Sequence, residues 1–155
     1  MNMKVRKMIN GEEQELWKLF YNTVNHINSQ HYSQTQIANW APADYPIEQA
    51  TKKFRDLDPF VVIKGKQIIG YADIQKDGYI DHFYCHHQFQ RQGVGSLLFA
   101  TLEQQAIEND ITKMYSNVSI TARPFFEAKG FEVEREQRLE MGGEKVINYR
   151  MVRTL

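Results

Sequence analysis

The sequence predicts a mixed α/β fold of the α+β type, in which helices flank a twisted, mostly antiparallel sheet. Apolar residues recur at helical spacing over the first part of the chain and again after residue 93. Between these segments lie three runs rich in β-forming residues, at 60–63, 67–74 and 79–85. Turn residues separate the runs, so the three strands are predicted to form an antiparallel meander.

The elements before the meander are one strand and three helices. Residues 5–9 are a strand candidate, and residues 10–13 resemble a capping box in which Asn10 opens the first helix. Residues 33–36 repeat this signal at the start of a second helix, which the sequence Ala41-Pro42 ends. A third, short helix is predicted to open at Pro46.

After the meander the pattern predicts two more helices and three more strands. The helices are expected at residues 94–109 and 121–129, and the strands at residues 114–118, 131–139 and 146–152.

Length and composition describe an ordinary globular chain. Its 155 residues fit one domain, so residues 1–155 are predicted to form a single unit. There are 19 basic and 19 acidic residues, and this zero net charge does not favour a nucleic-acid partner. The chain has one cysteine, no apolar leader and no run approaching the roughly 18 apolar residues of a membrane span. We therefore expect a cytoplasmic protein without a membrane partner.

Two glycines, Gly93 and Gly95, stand where the helix after the meander begins. Glycine lowers helix stability by about 1 kcal/mol relative to alanine, so these positions need an unusual backbone conformation or a close approach. Small residues at a helix N-terminus let a phosphate or pyrophosphate reach its free N–H groups, and Arg91 could add a positive charge. No Walker A sequence is present, and Leu98 stands where a dinucleotide-binding loop would have its third glycine.

The loop Gln90-Arg91-Gln92-Gly93-Val94-Gly95 resembles the Q/R-x-x-G-x-G/A signature of the GNAT superfamily of N-acetyltransferases. Residues 122–131, ARPFFEAKGF, resemble a second landmark of that family, A-x-x-F-Y/F-E-x-x-G-F. The order of elements agrees over nearly the whole chain. Residues around Trp40, with residues 119–126 and 136–137, are also similar to a little-characterised bacterial subgroup of this family.

This resemblance implies a GNAT-like acyl-CoA N-acyltransferase fold and acetyl-CoA as the cofactor. It also implies direct transfer of the acetyl group to a primary amine of a small molecule, with a protein amine as an alternative. Two other functions stay open: a non-catalytic acyl-CoA-binding sensor or interaction module, and a domain that binds ATP or NAD through the same loop. A homodimer is possible.

By position in that family, one set of residues would bind the cofactor. The pyrophosphate would contact Gln90, Arg91, Gln92, Gly93, Val94, Gly95 and Ser96. The pantetheine arm would lie along Phe83, Tyr84 and Cys85 like an added strand. Ser119, Arg123 and Phe126 would line the opposite wall.

The chemistry needs a base, because an alkyl amine with a pKa near 10.4 is mostly protonated at neutral pH. Asp81 is the first candidate, and Asp73 on the neighbouring strand and His82 are others. Strand alternation is expected to place Asp81, Phe83 and Cys85 on one face and Ile80, His82, Tyr84 and His86 on the other.

One position departs from the family. At the position of Phe126, many members of the family carry a tyrosine, which is the acid that protonates the leaving thiolate. Phenylalanine cannot donate a proton, so the acid is missing, is replaced by Tyr84 or Ser119, or is supplied by water.

The acceptor wall in this family corresponds to the segment that holds His31, Tyr32 and Trp40, and Asp73 is a further candidate for substrate contact. His82, His86 and His87 have no companion Cys, Asp or Glu at zinc-like spacing, so no metal is expected.

Overall fold

The computed structural model describes residues 2–155. Within these residues it contains five α-helices, α1 (Glu13–His26), α2 (Gln34–Trp40), α3 (Ile47–Leu57), α4 (Val94–Glu108) and α5 (Arg123–Ala128). It contains eight strands, β1 (Met3–Lys7), β2 (Phe60–Lys64), β3 (Gln67–Ala72), β4 (Tyr79–Ile80), β5 (Phe83–Cys85), β6 (Lys113–Ser119), β7 (Glu132–Met141) and β8 (Glu144–Thr154). No helix among these residues has both the length and the apolar composition that crossing a membrane requires.

The strands form two four-stranded sheets, ordered β1-β2-β3-β5 and β4-β6-β8-β7. Every pair in the first sheet is antiparallel, which confirms the predicted meander. In the second sheet β4 runs parallel to β6, whereas the β6–β8 and β7–β8 pairs are antiparallel. The fold is therefore mixed and mostly antiparallel, as expected.

The single strand expected over residues 79–85 is wrong, because the chain breaks between β4 and β5. At the break the Asp73 carboxylate accepts hydrogen bonds from two backbone N–H groups. Its Oδ1 accepts hydrogen bonds from the N–H groups of Asp81 at 3.1 Å and of His82 at 2.6 Å. β4 then pairs with β6, while β5 pairs with β3, so the two halves of the segment belong to different sheets.

The break also corrects the expected alternation of side chains. Ile80 is buried in the same apolar cluster against which Phe83 and Cys85 pack, although it was expected on the opposite face. His82 and Tyr84 do share the other side, where their rings lie 5.5 Å apart. A continuous strand alternates strictly, and the irregular backbone at residues 81–82 resets that alternation.

Two apolar clusters form the core on either side of the first sheet. One cluster packs α4 against the sheets and includes Leu98, Leu102 and Met114. The other packs α1, α2 and α3 against the opposite face. Burial of these faces positions the helices that surround the site.

The helix starts were predicted with mixed success. Ser33 and Gln36 form the predicted capping box at α2. Asn10 does not cap α1, which is a correction: the N-cap residue is Glu12, whose carboxylate accepts a hydrogen bond from the N–H of Ile9 at 2.9 Å. The adjacent Glu13 carboxylate accepts from the N–H of Gly11 at 2.8 Å, so acidic side chains bind the loop before α1.

Candidate functional site

The edge of β5 that faces away from β3 pairs with no strand among the described residues. The carbonyl of His82 accepts from the N–H of Asp73, and the N–H of His86 donates to the carbonyl of Ile69, so both groups point toward β3. Since backbone groups alternate along a strand, those of Phe83 and Cys85 point the other way.

Part of this edge is already used within the protein. The Cys85 carbonyl accepts hydrogen bonds from Thr23 Oγ1 and from Gln90 Nε2, both at 2.9 Å. These contacts fix α1 and the following loop against β5. The N–H groups of Phe83 and Cys85 and the carbonyl of Phe83 remain as polar groups on the open edge.

A cavity of about 200 Å³ lies between this edge and β6. Many of its lining residues are ones that the sequence marked for cofactor binding: Phe83, Tyr84, Cys85, Gln90, Gly95, Ser119 and Phe126. Burial raises the pKa of the Cys85 thiol to about 12, so this side chain stays protonated and behaves as a small apolar group.

The cavity reaches the start of α4. Gly93 is the N-cap with φ 87°, a left-handed conformation that favours glycine. The first helical hydrogen bond runs from the N–H of Leu97 to the Gly93 carbonyl, which leaves the N–H groups of residues 94–96 without an acceptor in the helix. These donors make the helix start suited to an anion.

The glycine at position 95 is explained by a lack of space for a side chain. A Cβ atom at this position would come within 3.0 Å of Phe125 Cε1 and 3.6 Å of Cys85 Sγ. Any side chain would therefore intrude on the narrow space between α4, β5 and α5.

A second, larger cavity of about 420 Å³ lies between the second sheet and the helices α1, α2 and α3. Its walls are largely aromatic, with rings from Trp17, Phe20, Tyr32, Trp40, Tyr45, Phe54, Tyr79 and Tyr84. Its polar residues are Lys53, Asp81, His82, Asn117, Ser119 and Asn148.

The two cavities share part of their walls at the break between β4 and β5. The residues that line both are Trp40, Asp81, Tyr84, Asn117 and Ser119. A molecule in the smaller cavity and a molecule in the larger one would therefore meet beside Asp81 and Tyr84.

Asp81 is half-buried at this junction and forms an ion pair with Lys53, whose Nζ lies 2.8 Å from Asp81 Oδ2. Its neighbour His82 packs among aromatic rings, and a 2.9 Å hydrogen bond joins its Nδ1 to the Tyr71 hydroxyl. Burial lowers the pKa of His82 to about 4, because desolvation disfavours the charged imidazolium. His82 is thus neutral at pH 7.

Two further groups at the junction are the hydroxyls of Tyr84 and Ser119. Burial raises the pKa of Tyr84 above its ordinary value, although a hydrogen bond with Trp40 acts in the opposite direction, so Tyr84 stays protonated at neutral pH. Ser119 Oγ accepts hydrogen bonds from the N–H of Ala122 at 3.0 Å and from Asn28 Nδ2 at 3.4 Å. Its own proton is free to point into the cavities.

Several residues that the sequence singled out lie away from the junction. Asp73 is fully buried at the strand break and lines neither cavity. Burial raises its pKa to about 6. His31 is exposed and shares a 2.8 Å hydrogen bond with Thr121 Oγ1. Arg123, which was expected in the wall of the cofactor site, lines neither cavity: it pairs with Glu127 at 3.4 Å and stacks on Tyr149, 4.5 Å from the ring centroid.

The loop before α4 is mostly solvent-exposed. Arg91 has φ 59° and Gln92 follows it at the surface, whereas the Val94 side chain is buried in the core. Lys129, which no sequence pattern marked, lies at the same helix start, with its Nζ 3.1 Å from Ser96 Oγ.

The larger cavity contains residues that sequence reasoning missed. Trp17, Tyr45, Lys53 and Asn117 come from α1, the loop before α3, α3 and β6. None belongs to a motif, and only the packing of three helices over the second sheet brings them together. No group of three or more His, Cys, Asp or Glu side chains within residues 2–155 is arranged to hold a metal ion.

Comparison with known proteins identifies relatives of the whole chain. A protein-family model described as an acetyltransferase (GNAT) domain matches residues 28–153. An uncharacterized N-acetyltransferase of Escherichia coli (strain K12), YafP, is 33% identical over 150 residues, which cover 97% of this chain and 95% of YafP.

Solved structures share the fold. A GCN5-related N-acetyltransferase from Rhodopseudomonas palustris, described as a class-II aminotransferase, has a TM-score of 0.92 at 20% identity, covering 100% of this chain and 99% of that one. PaiA N-acetyltransferase from Thermoplasma acidophilum, in complex with coenzyme A, has a TM-score of 0.77 at 15% identity, covering 100% of both chains. YncA from Salmonella typhimurium, with its cofactor acetyl-CoA, has a TM-score of 0.67 at 15% identity, covering 99% and 94%.

Proposed function

This chain belongs to the GNAT family of acetyltransferases and is an N-acetyltransferase with acetyl-CoA as its co-substrate, and from that premise we propose that it acetylates the primary amine of a small molecule. One observation carries the proposal: the cavity over the free edge of β5 and the aromatic cavity meet at Asp81 and Tyr84. A donor and an acceptor molecule would reach each other there.

On the donor side, backbone groups do most of the binding in this proposal. Acetyl-CoA supplies an acetyl group activated as a thioester. The free N–H groups of residues 94–96 would hold its pyrophosphate, with the exposed Arg91 and with Lys129 as nearby cations. Phe83 and Cys85 would hydrogen-bond the peptide-like arm along the β5 edge. Ser119 and Phe126 form the facing wall.

Asp81 is the proposed base. It lines both cavities, and a carboxylate there can accept the proton of the incoming ammonium directly or through one water. His82 would stay neutral, and its Nδ1 is occupied by Tyr71. Asp73 is enclosed at the strand break and would act through Asp81 rather than on a substrate.

Tyr84 is the proposed donor toward the leaving sulfur, replacing the tyrosine absent at Phe126. Its raised pKa keeps the O–H intact. Because a thiol with a pKa near 8.5 is a stronger acid than this phenol, Tyr84 would stabilise the thiolate by a hydrogen bond while solvent supplies the proton. Ser119 offers a second hydroxyl at the same junction.

The shape of the larger cavity supports a small acceptor. Its volume of about 420 Å³ lies in the range of small-molecule sites, and helices cover it on one side and the β7–β8 hairpin on another. Tyr32 and Trp40 of the predicted acceptor segment lie in its wall. His31 does not, and it would contact only a larger acceptor that extends outside.

The donor assignment is tested by thermal shift with acetyl-CoA, CoA, ATP and NAD in parallel. A ligand at 100 times its Kd stabilises the native state by about 2.7 kcal/mol, which raises the Tm measurably. We expect a shift with acetyl-CoA and CoA and little with ATP or NAD. The absence of a shift with acetyl-CoA would contradict the assignment of the loop and the β5 edge.

The acceptor assignment is tested by following CoA release with a panel of small amines and with a lysine-containing peptide. Turnover with a small amine and not with the peptide supports the proposal. Faster turnover with the peptide would show that the acceptor is a protein, and binding without turnover on any amine would favour a non-catalytic acyl-CoA module.

A further inference from the structure

The walls and charges of the larger cavity carry information about the acceptor. This step rests on the proposed function, because it assumes that the acceptor enters the cavity beside Asp81. From its walls we infer that the acceptor is an aromatic monoamine, that is, one primary amine carried by a planar ring system without a second charged group.

The first observation is that the aromatic walls are held in place by one another. Trp17 and Tyr45 stack with their ring centroids 4.8 Å apart and their planes at 20°. Tyr32 and Trp40 meet edge to face at 5.3 Å. Such pairs leave ring faces and edges at fixed positions, so a planar ligand can stack without prior rearrangement.

The second observation is the charge balance. Among the described residues that line this cavity, only Lys53 and Asp81 are charged at pH 7, and they are paired with each other at 2.8 Å. A polyamine would need a second carboxylate for its second ammonium group. The carboxylate of an amino acid would compete with Asp81 for Lys53, because no other cationic side chain of residues 2–155 lines the cavity.

The third observation is the polar side of the cavity. Asn117 and Asn148 are both bound by Gln137, whose Nε2 donates to their Oδ1 atoms at 3.0 and 2.9 Å. This wall offers neutral amide groups, which can hydrogen-bond a ring hydroxyl or ring nitrogen. The chemistry of the whole cavity thus fits one amine, one ring and neutral polar substituents.

The test compares amines that differ in one feature at a time. The rate of CoA release is measured with phenethylamine, tryptamine, cyclohexylethylamine, phenylalanine and spermidine. We expect kcat/KM for phenethylamine and tryptamine to exceed that for cyclohexylethylamine by about threefold or more, the preference that aromatic pairing gives. We expect it to exceed kcat/KM for phenylalanine and spermidine by about tenfold or more, because of their extra charges.

Variants tie the preference to the cavity wall. Tyr45→Leu is expected to raise KM for phenethylamine about threefold to tenfold, whereas Tyr45→Phe keeps the ring and the wild-type KM. Tyr21→Leu is the matched control, because Tyr21 lies on α1 near Trp17 but lines a different cavity. Thermal shift with acetyl-CoA checks that each variant is folded and binds the donor.

The outcomes are separable. Equal or better turnover of spermidine, phenylalanine or cyclohexylethylamine would overturn the aromatic monoamine while leaving small-molecule acetylation intact. Equal effects of Tyr45→Leu and Tyr21→Leu would also overturn it, since the wall would then not select the ring. Failure of every amine despite acetyl-CoA binding would overturn both this inference and the proposed function.

Discussion

The donor side of the site is formed mainly by backbone groups, whereas the acceptor side is formed mainly by side chains. The donor side is mainly backbone: the free edge of β5, the first N–H groups of α4, and Gly95, which leaves room because it has no side chain. The acceptor side is mainly side chains, with aromatic rings from separate helices and one ion pair. Backbone recognition tolerates changes of side chain, whereas a wall of side chains changes its ligand with each substitution.

The largest expected effect concerns the junction between the two sides. Asp81→Asn keeps the shape but cannot accept a proton, so kcat is expected to fall about 100-fold or more. Acetyl-CoA binding should be unchanged. Steady-state kinetics measures kcat, and a thermal shift with acetyl-CoA measures binding.

Asp56→Asn is the control for that experiment. Asp56 pairs with Lys52 on α3 at 3.1 Å and lines neither cavity, so its loss removes a similar ion pair without touching the junction. An Asp81→Asn enzyme that keeps the wild-type kcat would show that another group is the base.

The next prediction concerns the stability of the fold. It tests whether Asp73 is a buried structural group at the strand break rather than part of the acceptor wall. Burial raises its pKa from the ordinary 3.8 to about 6 in the folded protein. Because the folded state holds this proton more tightly, the resulting stabilisation is full below about pH 4 and is lost as the pH rises through about 6. The loss is about 3 kcal/mol, at 1.36 kcal/mol per pKa unit.

Urea unfolding of the wild type and of Asp73→Asn measures this loss. The variant cannot titrate at residue 73, so the difference in the free energy of unfolding between the two proteins should change by about 2 kcal/mol between about pH 4 and about pH 7. The wild type should lose stability relative to the variant on going up in pH. A difference that stays constant over that range would contradict the burial of an ionisable carboxyl at the strand break.

The smallest effect tests the backbone character of the donor side. Gly95→Val places methyl groups against Phe125 and the cavity, and we expect the Kd for acetyl-CoA to rise about tenfold or more, or 1.4 kcal/mol. Gln92→Ala removes an exposed side chain but keeps the amide, so its Kd should stay within about twofold of wild type. Calorimetric titration measures the Kd of both variants. A larger loss of acetyl-CoA affinity in Gln92→Ala than in Gly95→Val would contradict binding through the backbone.

Much of the fold could be predicted because its signals are local. Turn residues and β-rich runs predicted the meander, and helical periodicity predicted α4. The break between β4 and β5 could not be predicted, because residues 79–85 read as one strand by composition. It depends on the Asp73 carboxylate, which lies on the preceding segment and reaches the N–H groups of Asp81 and His82 only after the chain folds back.

The residues of the candidate site likewise divide into those that a local sequence pattern predicted and those that it did not. Residues of the loop and the strand before it, such as Gln90 and Gly95, were found from a short sequence pattern and do line the smaller cavity. Trp17, Tyr45 and Lys53 were not found, since they come from three different segments and carry no shared motif. His31 and Asp73 were singled out near the right segments, but their side chains point elsewhere.

The sequence by itself determined the glycines at the start of α4, the order of the helices and the absence of a tyrosine at position 126. These are local properties, fixed by which residues follow one another. The tertiary structure decided where the strands part, which rings enclose the acceptor cavity and that Lys53 pairs with Asp81. Such contacts join residues distant in the chain, and they form only when burial of the two apolar clusters brings the helices onto the sheets.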